Sequence, residues 1–161
     1  MKIESLFDQF GEAMYRYLTI KLRSARDAED VLQEVFFRLV KYSVRLRFVR
    51  NLRVFVFRVA RNEADRFLRS KIQEEKVARE STLLAQSFSQ SYLGPDESTE
   101  RLVSEALAQI PDEQREVIVL KIFEGMTFNE IAEVSGESSN TVASRYRYGI
   151  EKMRSFLEGK G

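Results

Sequence analysis

The 161-residue chain contains no cysteine and no histidine, and it has only seven glycines and two prolines. Without cysteine or histidine it cannot form disulfides, Cys/His zinc sites or a thiolate nucleophile, and it lacks the usual general base near neutral pH. The few glycines do not form a Gly-rich phosphate loop. Nothing in the sequence indicates catalysis, so we expect no catalytic residue, no cofactor and no metal.

Long apolar runs are also missing. No run approaches the roughly 18 residues that a membrane-spanning helix needs, and the first ten residues, MKIESLFDQF, lack the layout of a signal peptide. We therefore expect a cytoplasmic protein without membrane insertion. The composition, 43% hydrophobic and 32% charged, is that of an ordinary soluble chain of one domain or two small ones.

Positive charge is concentrated in one segment. Residues 38–71 contain eleven Lys or Arg and two acids, although the net charge of the whole chain is only +1. Four aromatic side chains are interleaved with this charge: Phe48, Phe55, Phe57 and Phe67. Cationic side chains neutralise phosphates and aromatic rings stack on bases, so the segment indicates a nucleic-acid partner.

The first 41 residues show two helical periods. Apolar residues recur at spacings of three and four at Leu6, Phe10, Met14, Tyr17 and Leu18, which predicts an amphipathic helix. Asp27 is the expected N-cap of a second helix. Its predicted buried stripe is Val31, Leu32, Val35, Phe36, Leu39 and Val40, and its opposite face carries Asp30, Gln33, Glu34, Phe37 and Lys41.

A third helix follows the irregular, Arg-rich stretch 42–51. The spacing predicts that its core side holds Phe55, Val56, Val59 and Phe67. Another side is predicted to carry Arg50, Arg53, Phe57 and Arg61. One helix thus has both a core face and a basic stripe.

The pattern loosens over residues 72–100, which are rich in Ser, Thr and Gln, and we interpret this stretch as a linker with one short helical stub. Helical spacing resumes with Val103, Leu107 and Ile110. Pro111 then opens a helix whose expected core side is Val117, Ile118 and Ile122.

A helix-turn-helix pattern occupies residues 127–153. Thr127 and Glu130 form a capping box, Gly136 suits a left-handed helix stop, and Ser138 or Ser139 can cap the next helix. Val142, Tyr146, Ile150 and Met153 are predicted to face inward. The side chains left for the major groove of duplex DNA are Asn140, Thr141, Ala143, Ser144, Arg145, Arg147 and Tyr148.

Three segments, 27–40, 55–69 and 106–147, resemble in order and spacing regions 2 and 4 of bacterial RNA polymerase sigma factors of the extracytoplasmic-function (ECF) group. The resemblance implies an all-α fold of two small helical domains joined by a flexible linker. Region 2 would be 1–72, the linker 73–100 and region 4, with its helix-turn-helix, 101–161. The function implied is that of a removable subunit that directs core polymerase to promoters and assists their melting.

The resemblance also implies roles for individual residues. The face that binds the clamp helices of the polymerase β′ subunit would be Asp30, Gln33, Glu34 and Phe37. The residues that melt and read the promoter minus-10 element would be Arg45, Arg47, Arg50, Asn51, Arg53, Phe57, Arg58, Arg61 and Asn62. The minus-35 element would be read by Ser139, Asn140, Thr141, Ala143, Ser144, Arg145, Arg147 and Tyr148. Earlier helices of region 4 would contact the β flap, and an anti-sigma factor is a further expected partner.

In the recognition helix the family's common Gly-Thr-Val-Lys-Ser-Arg is replaced by Asn140, Thr141, Val142, Ala143, Ser144 and Arg145. We therefore expect a promoter sequence different from that of better-known relatives.

Two other functions fit parts of the pattern. A stand-alone helix-turn-helix regulator would bind duplex DNA without polymerase, and a sigma-like decoy would bind an anti-sigma factor but no promoter. A third alternative is local: Asp30 and Glu34 could simply favour their helix N-terminus.

Overall fold

The computed structural model describes residues 3–78 and 98–160. Regular structure in these two ranges is helical throughout, without a strand, as predicted. The chain divides into two compact units, Met1–Ser89 and Gln90–Gly161. The first contains α1 (Ile3–Leu22), α2 (Ala25–Lys41) and α3 (Leu52–Ala78), and the second contains α4 (Ser98–Ala108), α5 (Asp112–Ile118), α6 (Phe128–Ser135) and α7 (Ser139–Lys160).

The predicted linker is partly helical. Helix α3 continues to Ala78 and α4 already begins at Ser98, so residues 73–78 and 98–100 belong to helices. The boundaries expected at 72 and 101 therefore lie inside α3 and α4. The rest of the predicted linker, 79–97, lies outside the described residues.

The turn between α1 and α2 differs in detail from the prediction. Ser24, and not Asp27, is the N-cap of α2, because the Asp27 N–H donates to Ser24 Oγ at 3.1 Å. The Asp27 carboxylate instead accepts a hydrogen bond from Lys71 Nζ at 3.0 Å, which joins the start of α2 to α3. Arg23, just before the cap, has φ 58°, and this left-handed residue reverses the chain direction.

Helix α3 is buried over a wide arc because it packs against both α1 and α2. Phe57, predicted to face DNA, is 0% exposed, and its ring meets Tyr17 edge to face at a centroid distance of 5.5 Å. The prediction for Phe57 was therefore wrong. Phe55 and Phe67, predicted in the core, are only half-buried. In α2, Val31, Val35 and Leu39 are buried as expected, whereas Val40 is exposed.

The core of the second unit includes a cluster of Ala106, Leu107, Ile110, Ile118 and Met153. Tyr146 and Ile150 of α7 pack against this cluster, and Val142 is buried, which confirms the predicted inward face of that helix. Helix α5 continues into one π-helical turn, Val119–Phe123. Ile122, expected in the core, lies within this wider turn and is exposed.

A buried arginine closes the end of α4. Arg115 is 2% exposed and donates from Nε to the Leu107 carbonyl and from Nη2 to the Ile110 carbonyl, both at 2.7 Å. Its Nη1 is 2.6 Å from Asp112 Oδ1. The last carbonyls of a helix lack the usual i+4 partners, so this guanidinium supplies hydrogen bonds to carbonyls at and just beyond the C-terminus of α4.

Helices α5 and α7 approach each other at Gly149. A Cβ added there would lie 2.6 Å from Ile118 Cδ1 and 3.2 Å from Gln114 Cβ. Glycine at this position of α7 therefore permits the close contact between α7 and α5.

Candidate nucleic-acid and polymerase interfaces

The helix-turn-helix forms as predicted. Thr127 Oγ1 accepts the Glu130 N–H at 3.1 Å, and the Glu130 carboxylate accepts the Thr127 N–H at 3.0 Å. Gly136, with φ 74°, ends α6 in the left-handed conformation. Ser138 Oγ then accepts the Thr141 N–H at 3.1 Å and caps α7. These local hydrogen bonds fix the angle at which α7 leaves the turn.

The side chains of α7 proposed for the minus-35 element lie off the buried face of the helix. Asn140, Arg147 and Tyr148 are exposed, and the Arg147 guanidinium carbon lies 5.2 Å from the centroid of the Tyr148 ring. The others are half-buried: Ser139, Thr141, Ala143, Ser144 and Arg145. The arrangement offers amide, hydroxyl and guanidinium groups at the end of α7 that would enter a groove. Their contact with DNA stays a prediction.

Two polar residues outside the predicted set take part in this surface. Asn129 Oδ1 accepts a hydrogen bond from Ser139 Oγ at 2.5 Å, and Glu137 Oε1 lies 3.6 Å from Arg145 Nη2. The only signal in the sequence for Glu137 is its place in the turn before the recognition helix. No local pattern points to Asn129, because its partner is ten residues away.

The basic segment of the first unit separates into two parts. Several of its cations pair with carboxylates, among them Arg38 with Glu63 at 2.7 Å, Arg66 with Glu63 at 3.2 Å, Arg61 with Asp65 at 3.2 Å and Lys71 with Asp27 at 3.0 Å. By contrast, Arg45, Arg47 and Arg50 are exposed on and just after a single 3-10 turn, Arg45–Phe48. The sequence has no acid between Glu34 and Glu63, so positive charge is concentrated around this turn.

Phe48, at the end of the same turn, is 84% exposed. The sequence pattern named it among the four interleaved aromatic rings, although the individual residues given for the minus-10 element did not include it. An exposed ring of this kind can stack on a base. Among the predicted residues, Arg58 and Asn62 are exposed on α3, and Arg53 and Arg61 are half-buried. Asn51 uses its side-chain oxygen to accept the Val54 N–H at 3.2 Å, at the start of α3.

The proposed polymerase-binding residues lie along α2. Asp30, Gln33 and Glu34 are exposed, and Phe37 is 57% exposed, with Lys41 Nζ 4.7 Å from the centroid of its ring. Asp30 and Glu34 lie beyond the first turn of α2, where a charge no longer gains from the helix dipole. Stabilisation of the helix N-terminus therefore does not explain them.

A groove of about 450 Å³ runs beside this face, between α2 and α3. Its α2 wall includes Asp30, Gln33 and Glu34, and its α3 wall includes Glu63, Arg66, Phe67 and Ser70. The buried Glu63 carboxylate holds both Arg38 and Arg66. The groove thus joins acidic, basic and aromatic groups in one concave surface.

Each of the two units matches a known protein family. Residues 6–72 match the family Sigma-70 region 2, and residues 100–153 match Sigma-70, region 4. The ECF RNA polymerase sigma factor SigL of Mycobacterium tuberculosis is 30% identical over 167 residues, covering 99% of this chain and 90% of SigL. The sigma factor CarQ of Myxococcus xanthus is also 30% identical, covering 96% of this chain and 88% of CarQ.

Two solved structures have a similar fold. The sigma factor RpoE of Bartonella quintana, in complex with the anti-sigma factor NepR, aligns with a TM-score of 0.81 at 18% identity and covers 96% of each chain. CnrH, in complex with the cytosolic domain of CnrY, aligns with a TM-score of 0.68 at 22% identity, over 99% of this chain and 89% of CnrH. Both helical units are therefore known from sigma factors.

Two units with these motifs, matched over most of the chain, define a transcription initiation factor of the RNA polymerase sigma class. The chain belongs to the sigma-70 family, and within it to the ECF type that its relatives represent. The resemblance found in the sequence is thereby confirmed. In the part of the chain that the structure describes, no helix is long and apolar enough to cross a bilayer.

Proposed function

We propose that this chain directs core RNA polymerase to a defined set of promoters through separate surfaces on its two units. The second unit reads duplex DNA at the minus-35 element, and the first binds the polymerase and captures melted DNA at the minus-10 element. The proposal is supported by two surfaces on one chain, an exposed face of the recognition helix and an exposed turn with cationic and aromatic side chains.

Upstream reading depends on the N-terminal half of α7. Asn can pair with adenine and Arg with guanine in the major groove, while Ser, Thr and a second Arg contact phosphates. Asn140 and Arg145 supply the first kind of group, and Ser139, Thr141 and Arg147 supply the second. A duplex is the suitable target, because the capped helix presents these groups as a rigid set.

Downstream capture depends on the Arg45–Phe48 turn and on the start of α3. Arg45, Arg47 and Arg50 neutralise phosphates of a single strand, and Phe48 offers a ring on which an unstacked base can stack. Such stacking contributes about 1–3 kcal/mol per base. Binding energy of this size favours the melted strand over the duplex, so recognition and melting would occur together.

Polymerase binding would use the exposed face of α2 and the groove beside it. Asp30, Gln33, Glu34 and Phe37 offer a mixed polar and aromatic surface to the β′ clamp helices. Core polymerase supplies catalysis, so this chain needs no catalytic site of its own.

We also propose that the second unit contacts the β flap, and that an anti-sigma factor can cover surfaces of this chain. The solved complex of RpoE with the anti-sigma factor NepR supports the latter.

The test compares duplex binding and run-off transcription with and without core polymerase. We expect efficient transcription of selected templates only when core is present, with a loss in both Arg145→Ala and Arg47→Ala. Arg47→Ala is preferred to Arg61→Ala as the test of the minus-10 surface, because Arg61→Ala would also disturb the ion pair with Asp65. A stand-alone regulator would shift the duplex alone and gain nothing from core. A decoy would give no transcription with any template.

A further inference from the structure

Arg145 points back along α7 toward the turn that precedes the helix. Its Nη2 lies 3.6 Å from Oε1 of Glu137, between α6 and α7. Helical side chains lean toward the N-terminus of their helix, so a guanidinium from the second turn of α7 can reach this position. The pair is half-open to solvent, with 27% of the Arg145 side chain and 40% of the Glu137 side chain exposed.

This position is the end of α7 that a helix-turn-helix inserts into the major groove. An arginine there has two competing targets, the O6 and N7 of a guanine and the nearest phosphates. A phosphate is available at every sequence, so an unrestrained arginine raises affinity for all DNA. A carboxylate beside the guanidinium repels phosphates and limits the directions in which the side chain can point.

We propose that Glu137 is a specificity-determining residue that acts through Arg145. Its carboxylate holds the guanidinium at the groove end of α7 and opposes phosphate binding, so that Arg145 binds well only where a guanine edge replaces the carboxylate. The inference rests on the proposed minus-35 reading by α7. Repulsion between the Glu137 carboxylate and DNA phosphates would then weaken binding to wrong sequences, in addition to the attractive contacts proposed for α7.

The pair has little to do with folding. Partly exposed ion pairs of this length add little to stability, and Glu137 lies in a turn and not within a helix. Removing its charge should therefore leave α6 and α7 in place. An effect on sequence preference can then be separated from an effect on structure.

The experiment uses holoenzyme reconstituted from core polymerase and the full chain. Duplexes randomised over the upstream element are selected with the parent, and affinities for the enriched sequence and for a scrambled duplex are measured over a range of salt. Glu137→Gln is compared with Glu151→Gln, which removes the same charge from an exposed site further along α7. Thermal unfolding of each variant checks the fold.

For Glu137→Gln we expect affinity for the scrambled duplex to rise about two- to fivefold, the range that partly exposed ion pairs provide. The ratio of enriched to scrambled affinity should fall, and the salt dependence on the scrambled duplex should steepen by up to about one unit of slope. Glu151→Gln should leave the ratio unchanged. In an Arg145→Ala background, Glu137→Gln should no longer alter the ratio.

An unchanged ratio in Glu137→Gln, or an equal change in Glu151→Gln, would overturn the role of Glu137. The proposed function fails by a different result. If Arg145→Ala altered neither affinity nor preference, reading of duplex DNA by this face of α7 would be wrong, whatever Glu137 does. If Arg145→Ala changed the preference and Glu137→Gln did not, the inference on Glu137 alone would be lost.

Discussion

Phe57 and Phe48 are nine residues apart in the same basic segment, and they differ completely in exposure. Phe57 is fully buried against Tyr17, whereas Phe48 is 84% exposed. Truncation of a buried Phe to Ala typically costs about 3–5 kcal/mol. Since whole domains are stable by about 5–15 kcal/mol, Phe57→Ala should remove a large share of the stability of the first unit.

Phe48→Ala should leave that stability within about 0.5 kcal/mol of the parent, because an exposed side chain buries little on folding. Its effect should fall on melted DNA. Loss of about 1–3 kcal/mol of stacking corresponds to a decrease of about five- to 150-fold in the equilibrium for promoter opening. Each substitution replaces a phenyl ring by a methyl group, at a buried position in one case and at an exposed position in the other, so each is the control for the other.

Stability is read from hydrogen exchange of α1 and α3 amides in the full chain, and opening from the permanganate reactivity of thymines in holoenzyme complexes. We expect faster amide exchange only in Phe57→Ala. In Phe48→Ala we expect lower thymine reactivity with parent-like exchange. If Phe57→Ala kept parent-like protection but lost opening, Phe57 would contact DNA and the packing described above would be wrong. Parent-like opening in Phe48→Ala would refute base stacking at this turn.

Three further substitutions test the packing and the groove. Gly149→Ala should destabilise the second unit by about 1–2 kcal/mol in urea unfolding, because the new Cβ overpacks against buried Ile118; Gly159→Ala, which meets open space in the same helix, should not destabilise it. Arg115→Ala should cost about 3 kcal/mol in the same assay, since the Leu107 and Ile110 carbonyls lose a donor, and a parent-like midpoint would refute that role. Glu63→Gln should cost about 2 kcal/mol and weaken binding to core polymerase in a fluorescence titration, because Arg38 and Arg66 lose their shared carboxylate. Asp65→Asn, whose partners are outside the groove, should bind core like the parent.

Local patterns predicted the parts of the fold that depend on neighbouring residues. The capping box at Thr127 and Glu130, the left-handed Gly136 and the inward face of α7 are set by contacts within a few positions, and all three predictions are confirmed. The helical period also placed α1 and most of α2 correctly.

The incorrect predictions arise where a second partner or an unusual turn intervenes. Phe57 is buried because α3 packs on two helices at once, which one amphipathic period does not reveal. Ile122 is exposed because a π-helical turn changes the direction of its side chain. Two interactions depend on longer separations, the pairing of Arg145 with Glu137 and the burial of Arg115 under α4. Glu137 is eight residues from Arg145, the Leu107 carbonyl is eight residues from Arg115, and both partners lie outside the helix of the arginine.

The most direct test of the central claim is start-site mapping on a library of randomised promoters transcribed by core polymerase with this chain. We predict transcripts whose start sites share an upstream duplex element and a minus-10 element at a fixed spacing. We also predict that Arg145→Ala changes preference in the upstream element alone and Arg47→Ala weakens the use of the downstream one. Transcription no greater than with core alone, or start sites that share no sequence, would contradict the account.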